Sequence, residues 1–423
     1  MLPQHESISS TQLPNGVLVI SETMPGVASA SIGVWADAGS EDEGAEEFGA
    51  AHFLEHMLFK GTETRDAFAL AEGIEDVGGQ LNAYTDRETT HLFCRILAEH
   101  LPIGIDLLAD MVCHSVFSDE ELQRERQVIM EEIFKYQALP EERIQDLMMA
   151  GLWQDGMLGH PILGTEESVA GLTRDDLVAC WRRHFATNRV LITAAGQLEH
   201  AQLVDLASAA FADLPASSVL LPPLPEGHRV PYLIENEEQD QVTFSWGGRS
   251  YAARDDRNFA LAMVDAILGG STTSRLFQEV REKRGLAYDV ATFAIGFRDT
   301  GLFSTTGACS PQTFPEVLSL VRREIDALRT QGVSNKEFIR AKEQLKAGLA
   351  LSMESSGERM RILATHQLTW GQIYPLAYLI DRINQVTQDD VAQVIADVLD
   401  TSTWSFTAIG PVEQAVVAAI IEG

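Results

Sequence analysis

The sequence predicts an α+β protein made of two duplicated α/β sandwich-like domains, each a mixed sheet covered by helices. Three observations support this prediction. The chain has 423 residues, which is more than one hydrophobic core usually serves. A segment rich in proline and serine, residues 217–228, interrupts the periodic pattern near the middle of the chain. The elements on either side follow one another in a similar order, which is typical of an internal repeat.

The repeat can be followed element by element. In the first half, a strand-like run at residues 28–35 leads to helices, a Gly-Gly turn and the strand GGQLNAYT. In the second half, a run at residues 241–246 leads to a helix, a Gly-Gly turn and the strand LAYDVATF. We therefore expect an N-terminal metal-binding domain at residues 1–218 and a homologous C-terminal domain at residues 229–423. The second half has no histidine pair at the matching place, so its domain is predicted to lack the metal motif.

Charge and cysteine content bear on the class of function. The chain has 62 acidic and 31 basic residues, a net charge of −31, so a basic face for binding nucleic acid is not expected. We interpret most of these charges as favouring solubility, the alternative being attraction of cationic peptides.

No apolar run approaches the roughly 18 residues of a membrane span, and the N-terminal residues do not resemble a targeting segment, so a cytoplasmic protein is expected. The cysteines are far apart and are expected to be reduced core thiols: Cys94, Cys113, Cys180 and Cys309.

The sharpest chemical signal is the pentapeptide HFLEH at residues 52–56, within a run of good helix formers that ends near Gly61. On a helix, His52 and His56 are four residues apart and share a face, so both can bind one metal ion. Glu55 follows His52 by three residues on that face, where it can take a proton from a metal-activated water. Burial of these groups among apolar neighbours would be costly unless they were paired or bound to metal. The alternative is one exposed histidine and one satisfied in the core.

A catalytic zinc site needs a third protein ligand, and the segment SDEELQRERQVIMEEIFKYQ offers candidates. Ser118 and Glu121 form a capping-box pattern that predicts the start of a helix. Glu125 and Glu132 are seven residues apart and share a face of that helix, whereas Glu131 points elsewhere. We therefore assign Glu132 as the third ligand and Glu125 as a group that orients a ligand or the water. The alternative is that both carboxylates lie on a solvated face.

Four segments in this order, HFLEHMLFKGT, GGQLNAYTDRETT, ERQVIMEEI and GLAYDV, resemble the insulinase/pitrilysin family of zinc metallopeptidases. The greatest similarity is to its mitochondrial-processing-peptidase-like branch, and it spans almost the whole chain with the same spacing between His56 and Glu132. The resemblance implies one zinc ion per chain on the three ligands named above, with Glu55 as general base and Glu125 as a supporting acid. The chain departs from the family pattern at His91, where an aromatic residue is usual. We interpret His91 as a strand residue and not as a fourth ligand.

The resemblance also implies where a peptide binds. The strand that contains Asn82 and Ala83 corresponds to a sheet edge beside the zinc, to which the substrate adds as a further strand. The alternative is an ordinary strand in the middle of the sheet. Phe59 shares the helix face of the two histidines, and the resemblance suggests an apolar pocket for the substrate there. The alternative is that Phe59 belongs to the core.

Two further pairs are assigned to the substrate through the resemblance. Glu142 and Asp146 lie one helical turn apart in a helix predicted to start at Pro140, and they match positions where processing peptidases hold a substrate arginine. The alternative is a solvated helix face. Arg281 and Tyr288, in VREKRGLAYDV, match an arginine and a tyrosine that contact the substrate or the tetrahedral intermediate.

Together these features predict a zinc metalloendopeptidase of the inverted-motif type, which hydrolyses extended, arginine-containing or presequence-like peptides. The predicted mechanism is attack by a zinc-activated water with Glu55 as general base. Relatives of this length work as pairs of chains, so a homodimer or a heterodimer with a related chain is expected. The alternative is a non-catalytic or partner-dependent subunit of a processing-peptidase-like assembly. Such subunits typically lack part of the metal set, whereas the full set is present here.

Overall fold

The structure is a computed structural model that describes residues 7–215 and 226–423, so most of the predicted break at residues 217–228 lies outside the described residues. The strands are β1 (Ile8–Gln12), β2 (Leu18–Thr23), β3 (Ser29–Ala36), β4 (Gln80–Thr85), β5 (Thr90–Leu97), β6 (Val190–Gly196), β7 (Tyr232–Glu235), β8 (Val242–Ser250), β9 (Ala287–Gly296), β10 (Gly301–Cys309) and β11 (Ser405–Ile409).

The helices lie between and after these strands, mostly in consecutive groups. They are α1 (Ala50–Leu58), α2 (Ala67–Glu75), α3 (Leu101–His114), α4 (Asp119–Gln137), α5 (Pro140–Leu152), α6 (Glu166–Gly171), α7 (Arg174–His184), α8 (His200–Ala210), α9 (Asn258–Leu268), α10 (Phe314–Gln331), α11 (Asn335–Ser352), α12 (Ser356–Trp370), α13 (Leu376–Gln385), α14 (Gln388–Val398) and α15 (Gln414–Ile421). A π-helical stretch, Phe277–Glu282, precedes β9. No helix in the described part of the chain is long and apolar enough to cross a membrane.

Two mixed sheets share one topology. The first has the strand order β1-β2-β6-β3-β5-β4, and the second has the order β7-β11-β8-β10-β9. The pair β2–β6 is parallel, as is the matching pair β11–β7, and the other neighbours in both sheets are antiparallel. Apart from the additional strand β1, the second sheet repeats the first strand for strand. The predicted duplicated α+β architecture is therefore confirmed.

The described residues form two compact units, and each is built from separate parts of the chain. The first contains residues 7–134, 161–215 and 351–374, and the second contains residues 135–160, 226–350 and 375–423. Helix α12 therefore covers β2, β3 and β6 of the first sheet, whereas α5 covers β8 and β11 of the second.

Each sheet is thus covered by a helix from the other half of the sequence, and this arrangement has a physical cause. Side chains of the central strands are buried on both sheet faces, so each sheet needs a cover on the face opposite its main core. In the first unit, Met360 and Leu363 of α12 pack with Trp35 of β3. The predicted domains, residues 1–218 and 229–423, are contiguous and do not include this exchange. A sequence pattern shows that a face is apolar, but it does not show which helix covers it.

Candidate metal centre

Helix α1 carries the HFLEH pentapeptide. It begins after Gly49, which adopts a left-handed conformation with φ of 90°, and it ends at Leu58, two residues before the predicted end. Phe53, Leu54 and Met57 are at most 1% exposed and anchor the helix in the first core. This packing leaves the opposite stripe of α1 for the polar groups. His52 and His56 lie there one turn apart, with ring centroids 4.7 Å from each other.

Helix α4 supplies the carboxylates. Its start is stabilised as predicted, because Ser118 Oγ accepts a hydrogen bond from the N–H of Glu121 at 3.3 Å. The apolar residues of α4 face the core of the first unit, which turns the stripe with Glu125 and Glu132 toward α1. Glu125 is buried and Glu132 is half-buried, whereas Glu131 is exposed. The structure therefore brings Glu132, and not Glu131, to the histidines.

Three side chains converge on one point. The Oε2 atom of Glu132 lies 3.7 Å from Nε2 of His52 and 3.5 Å from Nε2 of His56. The potential ligand atoms of the three residues all lie within 4.8 Å of one another. A tetrahedral zinc ion with bonds of about 2.0–2.1 Å keeps its ligand atoms about 3.3–3.4 Å apart, and the two distances to Glu132 are close to this value. No other group of His, Cys, Asp and Glu in the described residues has this geometry.

Burial favours the neutral form of both imidazoles, which is the form that binds a metal ion. Burial, together with the neighbouring His56, lowers the pKa of His52 to about 4, so its imidazole is neutral at neutral pH. For His56, burial lowers the pKa, but the carboxylates of Glu132 and Glu125 outweigh burial and the net pKa is raised. The two carboxylates thus concentrate negative charge where a divalent cation would compensate it.

Glu55 lies beside the histidines and toward the edge strand β4. Burial raises the pKa of its carboxyl group, and hydrogen bonding with Thr85 at the end of β4 lowers it in part. A carboxylate whose pKa lies above its usual range accepts a proton more readily near neutral pH. The position and environment of Glu55 therefore suit a general base.

Glu125 connects the centre to a cation that the sequence analysis missed. Its Oε2 atom accepts a hydrogen bond from Nδ1 of His56 at 3.1 Å, which directs the Nε2 lone pair of that ring to the metal position. Its other oxygen, Oε1, lies 2.8 Å from Nζ of Lys60. Lys60 follows His56 by four residues, and this helical spacing was the available signal.

A second residue that the sequence analysis missed lies at the start of α1. The carboxyl group of Glu43 is buried and accepts hydrogen bonds from the backbone N–H groups of Gly49, at 3.0 Å, and Ala51, at 2.7 Å. Burial raises the pKa of Glu43 to about 8, although the two N–H groups oppose this rise. The acidic run that contains Glu43 carries no sequence pattern that distinguishes this residue from its half-buried neighbours Glu41 and Asp42.

His91 is a strand residue, as predicted. It lies in β5, stacks on Trp35 with ring centroids 3.9 Å apart, and contacts Tyr84 and Phe93. Burial and the charge of Arg361 lower its pKa to about 4. His91 does not belong to the metal-binding group among the described residues.

The strand predicted to bind substrate lies at a sheet edge. Within the described residues β4 pairs only with β5, which excludes the alternative of a central strand. Asn82 is exposed, and its Oδ1 accepts a hydrogen bond from the N–H of Ala83, whose own side chain is buried. Phe59 is half-buried just beyond the end of α1 and packs against the first core. This packing agrees with the core alternative, and a pocket at Phe59 stays a prediction.

The remaining predicted residues belong to the second unit. Helix α5 starts at Pro140 as predicted, with Glu142 exposed and Asp146 half-buried. Their role in binding arginine stays a prediction. Arg281 and Tyr288 do meet, because the Arg281 guanidinium lies 4.4 Å from the centroid of the Tyr288 ring, which is 80% exposed.

Comparison with known proteins extends these observations. Residues 18–166 match the model of a family described as insulinase, or peptidase family M16, and residues 171–345 match the peptidase M16 inactive domain. A protein of Streptomyces coelicolor named an uncharacterized zinc protease is 37% identical over 418 residues, which cover 96% of this chain and 90% of the relative. A probable beta subunit of the mitochondrial-processing peptidase of Arabidopsis thaliana is 32% identical over 420 residues, which cover 96% of this chain and 78% of the relative.

Two solved structures have the same fold. One is the peptidase M16 inactive domain of Pseudomonas fluorescens, with a TM-score of 0.86 and 22% identity over 96% of this chain and 98% of the other. The second is a protease of Helicobacter pylori, with a TM-score of 0.86 and 18% identity over 96% of this chain and 99% of the other. Sequence and fold agree along nearly the full length, and the chain belongs to the insulinase family of peptidases, family M16.

Proposed function

We propose that this protein is a zinc-dependent metalloendopeptidase that hydrolyses peptide bonds within extended peptides. The observation that carries the proposal is the convergence of His52, His56 and Glu132 on one point, with Glu55 beside them. Two imidazoles and one carboxylate leave a coordination position open, as in catalytic zinc sites, whereas structural sites use four protein ligands. The family and the relatives named zinc proteases support the same conclusion from sequence similarity.

Each residue has a defined task in this proposal. Zinc, when bound, lowers the pKa of a water molecule and polarises the scissile carbonyl group. Glu55 takes the proton from the attacking water and returns it to the leaving amine, a task suited by its raised pKa. Glu125 holds the ring of His56 through Nδ1. An exposed tyrosine hydroxyl, that of Tyr288, is available to donate a hydrogen bond to the substrate.

The free edge of β4 supports an extended substrate. A peptide that adds to this edge uses backbone hydrogen bonds, so many side chains are tolerated. We include in the proposal a preference for arginine upstream of the cut, bound by Glu142 and Asp146, and for an apolar residue after it, near Phe59. A carboxylate pair can hold a guanidinium group through two parallel hydrogen bonds, which favours arginine over lysine.

One relative is named a subunit, and we propose that this chain acts as a homodimer or with a related chain. A second candidate function follows from the relative named a processing-peptidase beta subunit. In that case the chain is a partner-dependent subunit of a processing-peptidase-like assembly. The complete ligand set and the general base favour a catalytic role over a non-catalytic one.

Zinc analysis and peptide cleavage by the purified chain test the proposal. Wild type is expected to hold about one zinc per chain and to cleave members of a defined peptide library, with products identified by mass spectrometry. Glu55→Gln should retain zinc and lose more than about a hundredfold in activity, because the base is removed and the ligands remain. Glu131→Gln, an exposed neighbour of Glu132, is the matched control and should stay active.

The outcomes separate the alternatives. A Glu55→Gln variant that keeps activity within about tenfold would contradict the mechanism. A zinc-containing wild type that cleaves peptides only after a related chain is added would favour the partner-dependent subunit. A zinc-containing chain that cleaves nothing in either state would contradict the peptidase proposal.

A further inference from the structure

The metal-binding helix α1 begins without a capping side chain of its own. Its N-cap residue is Gly49, and a Cβ atom at this position would lie 2.7 Å from the carbonyl oxygen of Leu163. The left-handed backbone and this close approach both require glycine. Other helices of the first unit, α2 and α7, are capped by the side chains of Asp66 and Thr173. The first N–H groups of α1 must therefore find acceptors elsewhere.

Glu43 supplies these acceptors from outside the helix. Its Oε2 atom accepts from the N–H of Gly49 and its Oε1 atom accepts from the N–H of Ala51. The side chain is buried, with the residue only 3% exposed. Both oxygens of the carboxyl group thus accept from N–H groups at the start of the helix, which would otherwise lack acceptors.

The segment that contains Glu43 is held on both sides. Asp42 pairs with Arg189, and Glu47 pairs with Arg183 of α7. Helix α7 also packs directly against α1. Because its neighbours are fixed to the same part of the first unit, Glu43 can define the position of the first turn of α1.

The two histidine ligands differ in how their rings are held. The Nδ1 atom of His56 is bound by Glu125 at 3.1 Å. The Nδ1 atom of His52 is buried and has no hydrogen-bond partner among the described residues. The orientation of the His52 ring therefore depends on packing and on the placement of its backbone. The residue before it is Ala51, whose N–H is bound by Glu43.

We propose that Glu43 is a positioning residue of the metal centre, which fixes the start of α1 and through it the His52 ligand. Glu43 touches neither metal nor substrate and acts through the backbone of Gly49 and Ala51. The inference rests on the proposed metal site, but it does not depend on peptidase activity. Its consequences are a change in zinc affinity and in the geometry of the bound metal.

The test compares Glu43→Gln with Glu47→Gln, a matched control on the same segment. Glu43→Gln replaces one acceptor of the pair by an amide NH₂, which cannot accept from a backbone N–H. Glu47→Gln weakens the ion pair with Arg183, but the pair of Asp42 with Arg189 and the backbone carbonyl of residue 47, which accepts from the N–H of Ala50, still hold the segment. Zinc dissociation constants are measured by competition with a chromophoric chelator. The visible absorption spectrum of the Co²⁺-substituted full chain reports the ligand geometry.

Glu43→Gln is expected to weaken zinc binding by about ten- to a hundredfold, the usual effect of losing a group that orients a ligand, and to alter the Co²⁺ spectrum. Glu47→Gln is expected to stay within about threefold of wild type with an unchanged spectrum. A folded Glu43→Gln protein with wild-type affinity and spectrum, even if less heat-stable, overturns the proposal, because Glu43 would then act only in folding.

A second variant covers the case in which Glu43→Gln does not fold. Glu43→Asp keeps the carboxyl group but shortens the side chain by one methylene group, so it cannot reach both N–H groups at their present distances. It is expected to bind zinc more weakly than wild type by about three- to tenfold, a smaller loss than for Glu43→Gln because the carboxyl group is kept. Unchanged affinity and spectrum in this variant overturn the proposal. Absence of peptide cleavage by a wild type that binds zinc would instead contradict the proposed function and leave the result for Glu43 valid.

Discussion

Helices α1 and α9 occupy matching positions beside two sheets of one topology, yet of the two only α1 carries a pair of histidines. Each follows the matching strand, β3 or β8, and each contacts the edge strand of its sheet, β4 or β9. When the helices are aligned by their ends at Leu58 and Leu268, HFLEH at residues 52–56 matches AMVDA at residues 262–266. Both histidines are replaced by alanine, and the glutamate is replaced by Asp265. The two helices therefore have matching positions in the fold, and the difference in chemistry lies in the side chains of His52, Glu55 and His56.

The matching acids keep one contact in common. Glu55 lies near Thr85 on β4, which lowers the pKa of its carboxyl group in part, and Asp265 Oδ1 accepts from the hydroxyl of Thr292 on β9 at 2.7 Å. Burial raises the pKa of both, that of Asp265 to about 6. A buried acid that joins the helix to the edge strand is thus common to both units. In the first unit, the same acid also lies beside the two histidines.

The first prediction has the largest expected effect and concerns a substitution that removes the proposed ligand on α4. Glu132→Gln should weaken zinc binding by at least a hundredfold, because Glu132 alone among the described residues brings a carboxylate to the two Nε2 atoms. Glu131→Gln, on the exposed side of the same helix, should change zinc affinity by less than about twofold. Zinc content after dialysis against a chelator measures both. Equal loss of zinc in the two variants would remove the basis for comparing α1 with α9 as metal-binding and metal-free helices.

The second prediction concerns the support of His56. Lys60→Met removes the cation that lies 2.8 Å from the buried carboxylate of Glu125. We expect zinc binding to weaken by about three- to tenfold, less than for a ligand, because Lys60 acts through Glu125. Lys135→Met, which makes the same chemical change at an exposed position of α4, is the control and should have little effect. A Lys60→Met variant with wild-type affinity would show that Glu125 holds His56 without this ion pair.

The sequence predicted that the side chains of the candidate metal centre come together, because helical periodicity fixes which side chains share a face. His52, His56 and Glu55 follow from α1 alone, and Glu132 follows from its spacing to Glu125 on α4. Support from outside a helix leaves no such periodic trace. Glu43 reaches α1 from outside the helix. What distinguishes it from its acidic neighbours is its burial, which exists only in the folded chain.

The sequence could not predict that α12 covers the first sheet and α5 the second, for a similar reason. Which helix covers a sheet face depends on tertiary packing. One signal of the repeat was available and overlooked. Thr173 and Asp176 form a capping box at α7, and Thr387 and Asp390 form the same box at α14. The matching sequences, LTRDDLV and VTQDDVA, precede the matching strands β6 and β11. They extend the repeat to the end of each half.

The third prediction addresses the acid of the second unit and has the smallest effect. The folded pKa of Asp265, about 6, lies above its unfolded value of about 3.8, so ionisation opposes folding. Its unfavourable contribution is absent at low pH, grows as pH rises from about 4 to 6, and is complete above about pH 7. Asp265→Asn keeps an oxygen that can accept from Thr292 and removes the charge. The variant should therefore be more stable than wild type at pH 8, by about 1–2 kcal/mol, since the roughly 3 kcal/mol implied by a two-unit shift is reduced by partial exposure.

Urea unfolding at pH 5 and pH 8 measures the difference in free energy of unfolding, which should shrink at the lower pH. Asp289→Asn, at an exposed position of β9, is the control and should be close to wild type at both values. An Asp265→Asn variant that is equally destabilised at both pH values would mean that Asp265 stabilises the second unit through its hydrogen bond as a carboxylate, and the parallel with a proton-accepting Glu55 would then fail.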